Sequence, residues 1–245
     1  MSGAGKDGLV VIPALNEASS IGRVVTSVRS ALPGWDVLVV DDGSTDETAE
    51  RAANAGAVVA KTPFNLGIGG AVQTGFICAR ENNYQHVVQI DGDGQHESVE
   101  VEKLISAMQA DNVDMVCGSR FLGPNSEYPA PISRRTGIHI FAFLLSAFLR
   151  QRISDPTSGF RLYNREAIQL FAVDYPHDYP EVEVVLMLHQ HRLSMIEVPV
   201  KMNAREGGKS SIGAGKSAYY MVKVLLALFV GLLRSRQPEP RVSHQ

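Results

Sequence analysis

Short apolar runs alternate with amphipathic stretches through the first half of the chain. The stretches between the runs predict helices that end near residues 32, 54, 81 and 109. Five runs rich in β-branched residues predict strands at 9–12, 37–40, 57–60, 86–90 and 114–117. This alternation is typical of an α/β fold with a mainly parallel sheet and helices on both faces.

The alternation stops after Gly118-Ser119-Arg120, so we expect a functional boundary near residue 120 within one domain. The first half, 1–120, ends there, and a second subregion follows over 121–216. The second half is less regular, with a helix predicted to run to His191 and a strand predicted at 195–200.

Two apolar segments in the second half indicate burial against another surface. Residues 138–149 are rich in Phe and Leu with arginines on both sides, and they are too short to cross a bilayer as a helix. They fit either a buried core helix or an interfacial helix near anionic head groups. Residues 217–233 predict a helix that is apolar nearly all round, which favours membrane association or packing between subunits. Residues 234–245 predict a polar tail.

Acidic residues follow the predicted strand at 37–40. Asp41 and Asp42 come at its end, and Ser44 and Glu47 have the spacing of a capping box, which predicts that a helix begins there. The cap accounts for Ser44 and Glu47 but not for the two aspartates before it. In open α/β sheets the carboxyl ends of the strands are where ligands bind.

A second acidic turn follows the predicted strand at 86–90. Asp91 and Asp93 stand two residues apart, separated and followed by glycines that permit a tight turn and a close approach of a ligand. Carboxylate pairs of this kind hold Mg²⁺ or Mn²⁺ and leave coordination positions open for substrate phosphates. Aspartates beside glycines also occur in simple turns, but two acidic strand ends in one sheet favour a nucleotide site with its metal.

Composition agrees with a globular enzyme and argues against nucleic acid as a partner. The chain has 245 residues and a net charge of −3, so no basic field points to nucleic acid. Cys78 and Cys117 are far apart in apolar surroundings, and their spacing is not that of a zinc site. Residues 1–8 contain no apolar signal core, so secretion is not expected.

Seven motifs in order give the chain a family resemblance. They are Val-Ile-Pro-Ala-Leu-Asn-Glu at 11–17, Val-Val-Asp-Asp-Gly-Ser at 39–44, Asp-Gly-Asp-Gly-Gln-His at 91–96, Gly-Ser-Arg at 118–120, Asp-Pro-Thr-Ser-Gly-Phe-Arg at 155–161, Glu-Val-Pro-Val at 197–200 and Arg-Glu-Gly-Gly-Lys-Ser at 205–210. With them the chain resembles family 2 glycosyltransferases of the GT-A fold, in the polyprenyl-phosphate branch that includes dolichol-phosphate mannose synthases.

The resemblance implies roles for the residues of the first half. Asp91 and Asp93 would hold the metal that bridges the donor diphosphate, with Asp93 at the catalytic centre, and Gln95 would complete the coordination. The donor nucleotide would be bound by Pro13, Leu15, Glu17, Asp41 and Asp42. Leu15 departs from the Tyr that is frequent at its position in this branch, which leaves uracil, guanine and thymine all open as the base.

Basic residues are candidates for phosphate contacts because guanidinium groups match phosphate oxygens. Arg120, Arg205 and Lys209 would contact the donor, and the loop 205–211 either closes over it or is a solvated surface loop. Arg134, Arg135 and Arg161 would contact the acceptor phosphate. Arg120 and Arg161 have a structural alternative as partners of buried ion pairs.

Two glutamates are candidates for a catalytic base. Glu183 falls where the branch carries an acceptor-side Glu, and Glu181 lies two residues before it. A hydroxyl acceptor needs such a base, whereas a phosphate acceptor is already an anion. Alternatively, one of the pair simply opens the helix that follows, where acidic side chains are favoured.

Together these expectations describe a metal-dependent, inverting transferase. The resemblance implies a UDP-, GDP- or dTDP-linked sugar as donor, a polyprenyl phosphate as acceptor, and a peripheral position on the inner face of the cell membrane. Two alternatives stay open, namely an enzyme of the same fold with a soluble or polysaccharide acceptor, and a nucleotide-binding scaffold without turnover.

Overall fold

One sheet with helices on both faces makes up the described part of a computed structural model, which covers residues 7–123, 132–177 and 180–203. Its strands are β1 (Gly8–Ala14), β2 (Asp36–Asp41), β3 (Val58–Lys61), β4 (His86–Gln89), β5 (Met115–Ser119), β6 (Arg161–Tyr163) and β7 (Met195–Pro199). Its α-helices are α1 (Ile21–Ala31), α2 (Thr48–Asn54), α3 (Gly67–Glu81), α4 (Val101–Asp111), α5 (Ile132–Leu149), α6 (Arg165–Val173) and α7 (Pro180–Gln190). A 3₁₀ turn at Ser98–Glu100 leads into α4.

The strand order is β3-β2-β1-β4-β6-β5-β7. Every neighbouring pair is parallel except the two that involve β6, which runs antiparallel to both β4 and β5. β1 pairs with β2 on one side and with β4 on the other, so the winding of the chain reverses at β1. In sheets of this type a crevice for ligands opens at such a reversal, beyond the carboxyl ends of the strands.

The side chains of β1 alternate between the two faces of the sheet, and each face is covered by helices. Val10 and Ile12 belong to the apolar cluster that includes Val25 of α1 and Leu104 of α4. Val11, on the opposite face, lies so close to α3 that a Cβ at Gly75 would come within 2.3 Å of it. All seven residues of β1 are buried, as expected of a parallel strand covered on both faces.

The predicted α/β fold is confirmed, and so is each predicted strand to within about two residues at either end. β6 and α6 were not predicted. β6 has only three residues and begins with Arg161, a residue type that a search for apolar runs passes over. Its burial depends on β4 and β5, which lie far away in the sequence.

The predicted capping box at Ser44 is wrong. α2 begins at Thr48, and no side-chain hydrogen bond caps it. The hydroxyl of Ser44 instead accepts a hydrogen bond from the backbone N–H of Asn16 (2.9 Å), in the loop that follows β1. A contact between two loops has therefore replaced the local cap.

The predicted apolar stretch 138–149 lies within α5, which begins six residues earlier. Among the described residues, no helix combines the length and the apolarity that crossing a membrane requires. The predicted helix at 217–233 and the tail at 234–245 lie outside the described residues.

Candidate active site

The loops after β1, β2 and β4 meet at one edge of the sheet. Ala14 and Asp41 are register partners at the ends of β1 and β2, and the backbone N–H of Asp42 donates to the carbonyl of Ala14 (2.9 Å). The hydroxyl of Ser20 donates to the carbonyl of Gly92 (2.8 Å), which ties the start of α1 to the loop after β4. The first three sequence motifs are thereby brought together at the reversal in strand order.

Reciprocal hydrogen bonds join the loop after β1 to the loop after β2. Asn16, with a positive φ of 55°, accepts on its side chain from the N–H of Thr45 (2.9 Å), and the N–H of Glu17 donates to the hydroxyl of Thr48 (2.9 Å). Pro13 is buried and Glu17 is half-buried, whereas Leu15 is 42% exposed. An apolar side chain is thus left accessible at the edge where the sequence predicts the nucleotide base.

Asp42 holds the start of α3. Its carboxylate accepts from the N–H groups of Leu66 and Gly67 (2.8 Å each) and from the hydroxyl of Thr62 (3.0 Å), and it is only 3% exposed. Asp41, 4% exposed, accepts from the N–H of Ser44 (3.1 Å). Both aspartates are buried and hold the loops at this edge of the sheet through these hydrogen bonds. Their predicted contacts with the donor stay predictions.

The acidic turn after β4 is more accessible. The side chain of Asp91 is 40% exposed, and Asp93 and Gln95 are half-buried. One carboxylate oxygen of Asp93 accepts from the N–H of Gln95 (3.0 Å), and Gly94 takes a positive φ of 79° that suits glycine. The turn therefore sets Asp91 and Asp93 on one short, tightly folded segment.

Gly159, in the motif at 155–161, lies against Asp91. A Cβ at Gly159 would come within 3.0 and 3.2 Å of the two carboxylate oxygens of Asp91. A side chain at this position would require the carboxylate to move by a few tenths of an ångström. This contact between two motifs 68 residues apart was not predicted.

His96 is a further residue of the site that the sequence did not single out. Its Nδ1 accepts from the backbone N–H of Asp91 (3.1 Å), and its ring stacks on Phe160 with centroids 4.9 Å apart. Its place at the end of Asp-Gly-Asp-Gly-Gln-His was the only available signal.

Arg120 lies in a buried ion pair. Its Nε and Nη2 donate to the two carboxylate oxygens of Asp155 at 2.6 and 2.7 Å, and Asp155 is fully buried. Glu197 in turn accepts from the N–H groups of Ser154 (2.7 Å) and Asp155 (2.9 Å), and burial raises the pKa of its carboxyl. Three of the motifs meet in this network, which agrees with the structural alternative for Arg120.

Arg161 is 1% exposed and donates from Nη2 to the backbone carbonyl of Glu181 (2.5 Å). The guanidinium holds the first turn of α7, on which Glu181 and Glu183 are both half-buried. The burial of Arg161 agrees with the structural alternative for this residue, and its contact with an acceptor phosphate stays a prediction. Arg161 was predicted from its charge alone, and its position on a buried strand could not be read from that.

The remaining predicted phosphate contacts are not described. Arg205 and Lys209, with the loop 205–211, lie outside the described residues, and so do the side chains of Arg134 and Arg135. α5 carries these two arginines in its first turn. All four contacts stay predictions.

The acidic turn has the donor set of a hard divalent cation. Within the described ranges, no group of three His, Cys, Asp or Glu side chains is arranged to hold a metal. Two carboxylates and one amide oxygen would suit Mg²⁺ or Mn²⁺ bound together with substrate phosphates, because these ions commonly combine one or two protein carboxylates with phosphate and water oxygens. Asp91, Asp93 and Gln95 therefore fit a metal shared with a ligand.

A family model described as glycosyl transferase family 2 matches residues 9–171, which include five of the seven motifs. The chain belongs to glycosyl transferase family 2. The predicted glycosyltransferase is thereby confirmed, and the matched residues contain all three loops of the site.

Relatives of this glycosyltransferase cover most of its length. The undecaprenyl-phosphate mannosyltransferase of Micrococcus luteus is 31% identical over 215 residues, 84% of this chain and 88% of the relative. The polyprenol monophosphomannose synthase of Mycolicibacterium smegmatis is 30% identical over 229 residues, 88% of this chain and 84% of the relative. The predicted resemblance to the polyprenyl-phosphate branch is confirmed.

The fold also has solved counterparts. A crystal structure of glucosyl-3-phosphoglycerate synthase from Mycobacterium tuberculosis, in complex with Mn²⁺, UDP and glucosyl-3-phosphoglycerate, superimposes with a TM-score of 0.69 at 21% identity, covering 95% of this chain and 82% of that one. At this level of identity the match concerns the fold, and it confirms that this glycosyltransferase has the predicted GT-A architecture.

Proposed function

We propose that this glycosyltransferase moves a sugar from a nucleoside-diphosphate donor to a polyprenyl phosphate, with inversion, at the cytoplasmic face of a membrane. The observation that carries the proposal is the accessible pair Asp91 and Asp93 at the reversal in strand order. The side chain of Asp91 is 40% exposed, although the strand that precedes it is buried over its last three residues. A carboxylate pair in such a crevice suits the diphosphate of a donor with its metal.

The donor half of the site is supported by the loops around this pair. Leu15 offers an exposed apolar surface for a base, and Asp42 fixes the adjoining start of α3 through Leu66 and Gly67. Asp91, Asp93 and Gln95 would hold Mg²⁺ or Mn²⁺, which would stabilise the charge on the departing diphosphate. The residues of the chain would orient the donor so that the sugar carbon is open to attack from the opposite side.

The lipid acceptor is supported by the relatives and by one face of α5. Two relatives are named for undecaprenyl-phosphate mannosyl transfer and polyprenol monophosphomannose synthesis. On α5, Ile140, Phe143 and Leu144 are 47%, 72% and 36% exposed, and their spacing puts them on one side of the helix. Exposed apolar side chains between basic flanks suit an interfacial helix near anionic head groups.

A thermal-shift and transfer panel tests the donor and the acceptor together. UDP, GDP and dTDP are each added with Mn²⁺, Mg²⁺ or a chelator, and the melting temperature is recorded. We expect one nucleotide to raise it only with metal, because a ligand of the native state stabilises in proportion to the logarithm of its concentration over its Kd. The sugar conjugates of that nucleotide are then assayed with undecaprenyl phosphate.

Transfer to undecaprenyl phosphate would support the full proposal. Donor turnover that undecaprenyl phosphate does not accelerate would instead indicate a soluble or polysaccharide acceptor. Metal-dependent binding of a nucleotide without turnover of any donor would favour the scaffold alternative.

Glu183→Gln separates a phosphate acceptor from a hydroxyl acceptor. A phosphate is already ionised, so we expect kcat with undecaprenyl phosphate to stay within about fivefold of the wild type. A hydroxyl acceptor would lose roughly two to four orders of magnitude without its general base. Glu181→Gln, in the same turn of α7, is measured in parallel, because Glu181 is the second candidate for the base. A large loss of kcat in either variant would contradict the phosphate acceptor.

A further inference from the structure

We propose that His96 is a positioning residue that fixes Asp91 for metal binding by accepting the backbone N–H of Asp91 on its Nδ1. The role assigned to Asp91 rests on the proposed function, but the hydrogen bond itself does not. The donor and the acceptor are 3.1 Å apart, and the side chain of His96 is 3% exposed. Because the ring closes the turn from Asp91 to His96, it constrains the whole acidic segment between them.

The hydrogen bond selects one form of the ring. An N–H group can donate only to an unprotonated ring nitrogen, so the proton of the neutral imidazole must lie on Nε2. Burial, assisted by the charge of Arg120 and opposed by Asp93 and Asp155, lowers the pKa of His96 to about 4. Nε2 lies 3.8 Å from a carboxylate oxygen of Asp91, so the positive edge of the ring faces the side chain whose backbone it holds.

The ring and the backbone of His96 each have contacts of their own. The ring stacks on Phe160 with an interplanar angle of 25°, and the backbone of His96 forms an isolated antiparallel bridge with Met202. Beside that bridge, the N–H of Asn203 donates to the carbonyl of Gln95 (2.8 Å). Through His96 the acidic turn is therefore connected to Phe160 and to Met202.

Phe160 also links this arrangement to the other side of Asp91. It follows Gly159, which leaves room for the carboxylate of Asp91 where a Cβ would come within 3.0 Å, while the ring of Phe160 stacks on His96. The carboxylate of Asp91 thus lies against Gly159, and its backbone N–H is held by a ring that stacks on the next residue, Phe160. Groups that orient a ligand from outside the coordination shell commonly change metal affinity or activity by about 10- to 100-fold when they are replaced.

Asparagine and glutamine replacements separate positioning from packing. Both His96→Asn and His96→Gln remove the ring and its stack on Phe160. The amide oxygen of asparagine reaches about as far from the backbone as Nδ1 and can accept the same N–H, whereas that of glutamine lies one bond farther out. His96→Leu removes every acceptor and completes the set.

Two readouts are measured on the four proteins. Amide hydrogen exchange of a peptide that includes Asp91 is followed in the metal-free proteins. We expect exchange to rise about tenfold in the Gln and Leu variants, as the loss of one hydrogen bond implies, and to stay near wild type in the Asn variant. The Mn²⁺ concentration that half-saturates nucleotide binding should rise at least about tenfold in the same two variants and under threefold in His96→Asn.

Equal behaviour of the Asn and Gln variants in both readouts would overturn the proposal, because it would show that only the ring volume matters. Unchanged exchange at Asp91 in all three variants would overturn it as well. If exchange follows the acceptor but the wild type binds no nucleotide with Mn²⁺, positioning of Asp91 stands and the proposed function fails instead.

Discussion

Replacing Asp93 by alanine is expected to lower kcat/KM for sugar transfer by about a thousandfold and to change the melting temperature by less than about 2 °C. The large effect on rate follows because the departing diphosphate would lose half of the carboxylate pair that holds its metal. The small effect on stability follows because Asp93 is only half-buried, on a turn outside the strands. Initial rates and thermal unfolding of the same preparation measure both.

Asp93→Asn separates the charge of this side chain from its role in the turn. The amide oxygen of asparagine can still accept from the N–H of Gln95, as the carboxylate does at 3.0 Å. We expect its activity to be nearly as low as that of Asp93→Ala, with wild-type stability. Asp46→Asn is the control, since Asp46 accepts from the N–H of Thr48 (3.0 Å) in a comparable turn of the loop after β2.

Retained activity in Asp93→Asn would show that the turn matters and the charge does not. An equal loss in Asp46→Asn would point to the general negative potential of this edge rather than to a metal pair. Either result would contradict the assignment of Asp91 and Asp93.

Asp155→Ala is expected to lower the free energy of unfolding by about 3–5 kcal/mol, because it leaves the guanidinium of Arg120 buried without its partner. The side chain of Arg120 is 8% exposed and that of Asp155 is 0% exposed, so water replaces little of the lost interaction. For a chain of this length the melting temperature should fall by roughly 6–20 °C. Urea unfolding monitored by circular dichroism gives the free energy directly.

The double variant Arg120→Met with Asp155→Leu is the matched control. Replacing both ions by apolar side chains of similar size is often neutral. Leucine cannot accept the backbone N–H of residue 120, which Asp155 accepts at 3.1 Å, so about half of the lost stability should return. If the double variant is stable and still binds the nucleotide, Arg120 is a structural residue. If it is stable but has lost donor affinity, the sequence prediction of a donor contact is correct. A cost below about 1 kcal/mol for Asp155→Ala would contradict the buried pair.

The features that could be predicted from the sequence are those that depend on neighbouring residues in the chain. Apolar runs such as 37–40 predict buried parallel strands. Acidic residues directly after such runs predict the edge of the sheet at which ligands bind. Asp91 and Asp93 were predicted on this basis, and they do lie at the edge where β1, β2 and β4 end.

What could not be predicted depends on contacts between distant segments. Arg120 and Arg161 have the same charge in the sequence as any surface arginine, and their burial depends on distant partners such as Asp155 and the carbonyl of Glu181. The hydroxyl of Ser44 was predicted to cap the helix that follows it, but it accepts from the backbone N–H of Asn16 instead. The spacing of residues in the sequence does not decide between a local and a distant hydrogen-bond partner, because that choice depends on tertiary packing.

The antiparallel strand β6 also constrains how the protein can be assembled. It separates β4 from β5, and its residue Leu162 is the register partner of both Val88 and Val116, which precede it by 74 and 46 positions. During synthesis, β4 and β5 therefore emerge well before the strand that joins them, and the sheet stays divided until residue 163 is available. Pairing over such distances is slow, and an open strand edge invites association with other chains. The strands of residues 8–119 thus form one continuous sheet only when β6 is present, so we expect them to fold together with the later segment that contains β6.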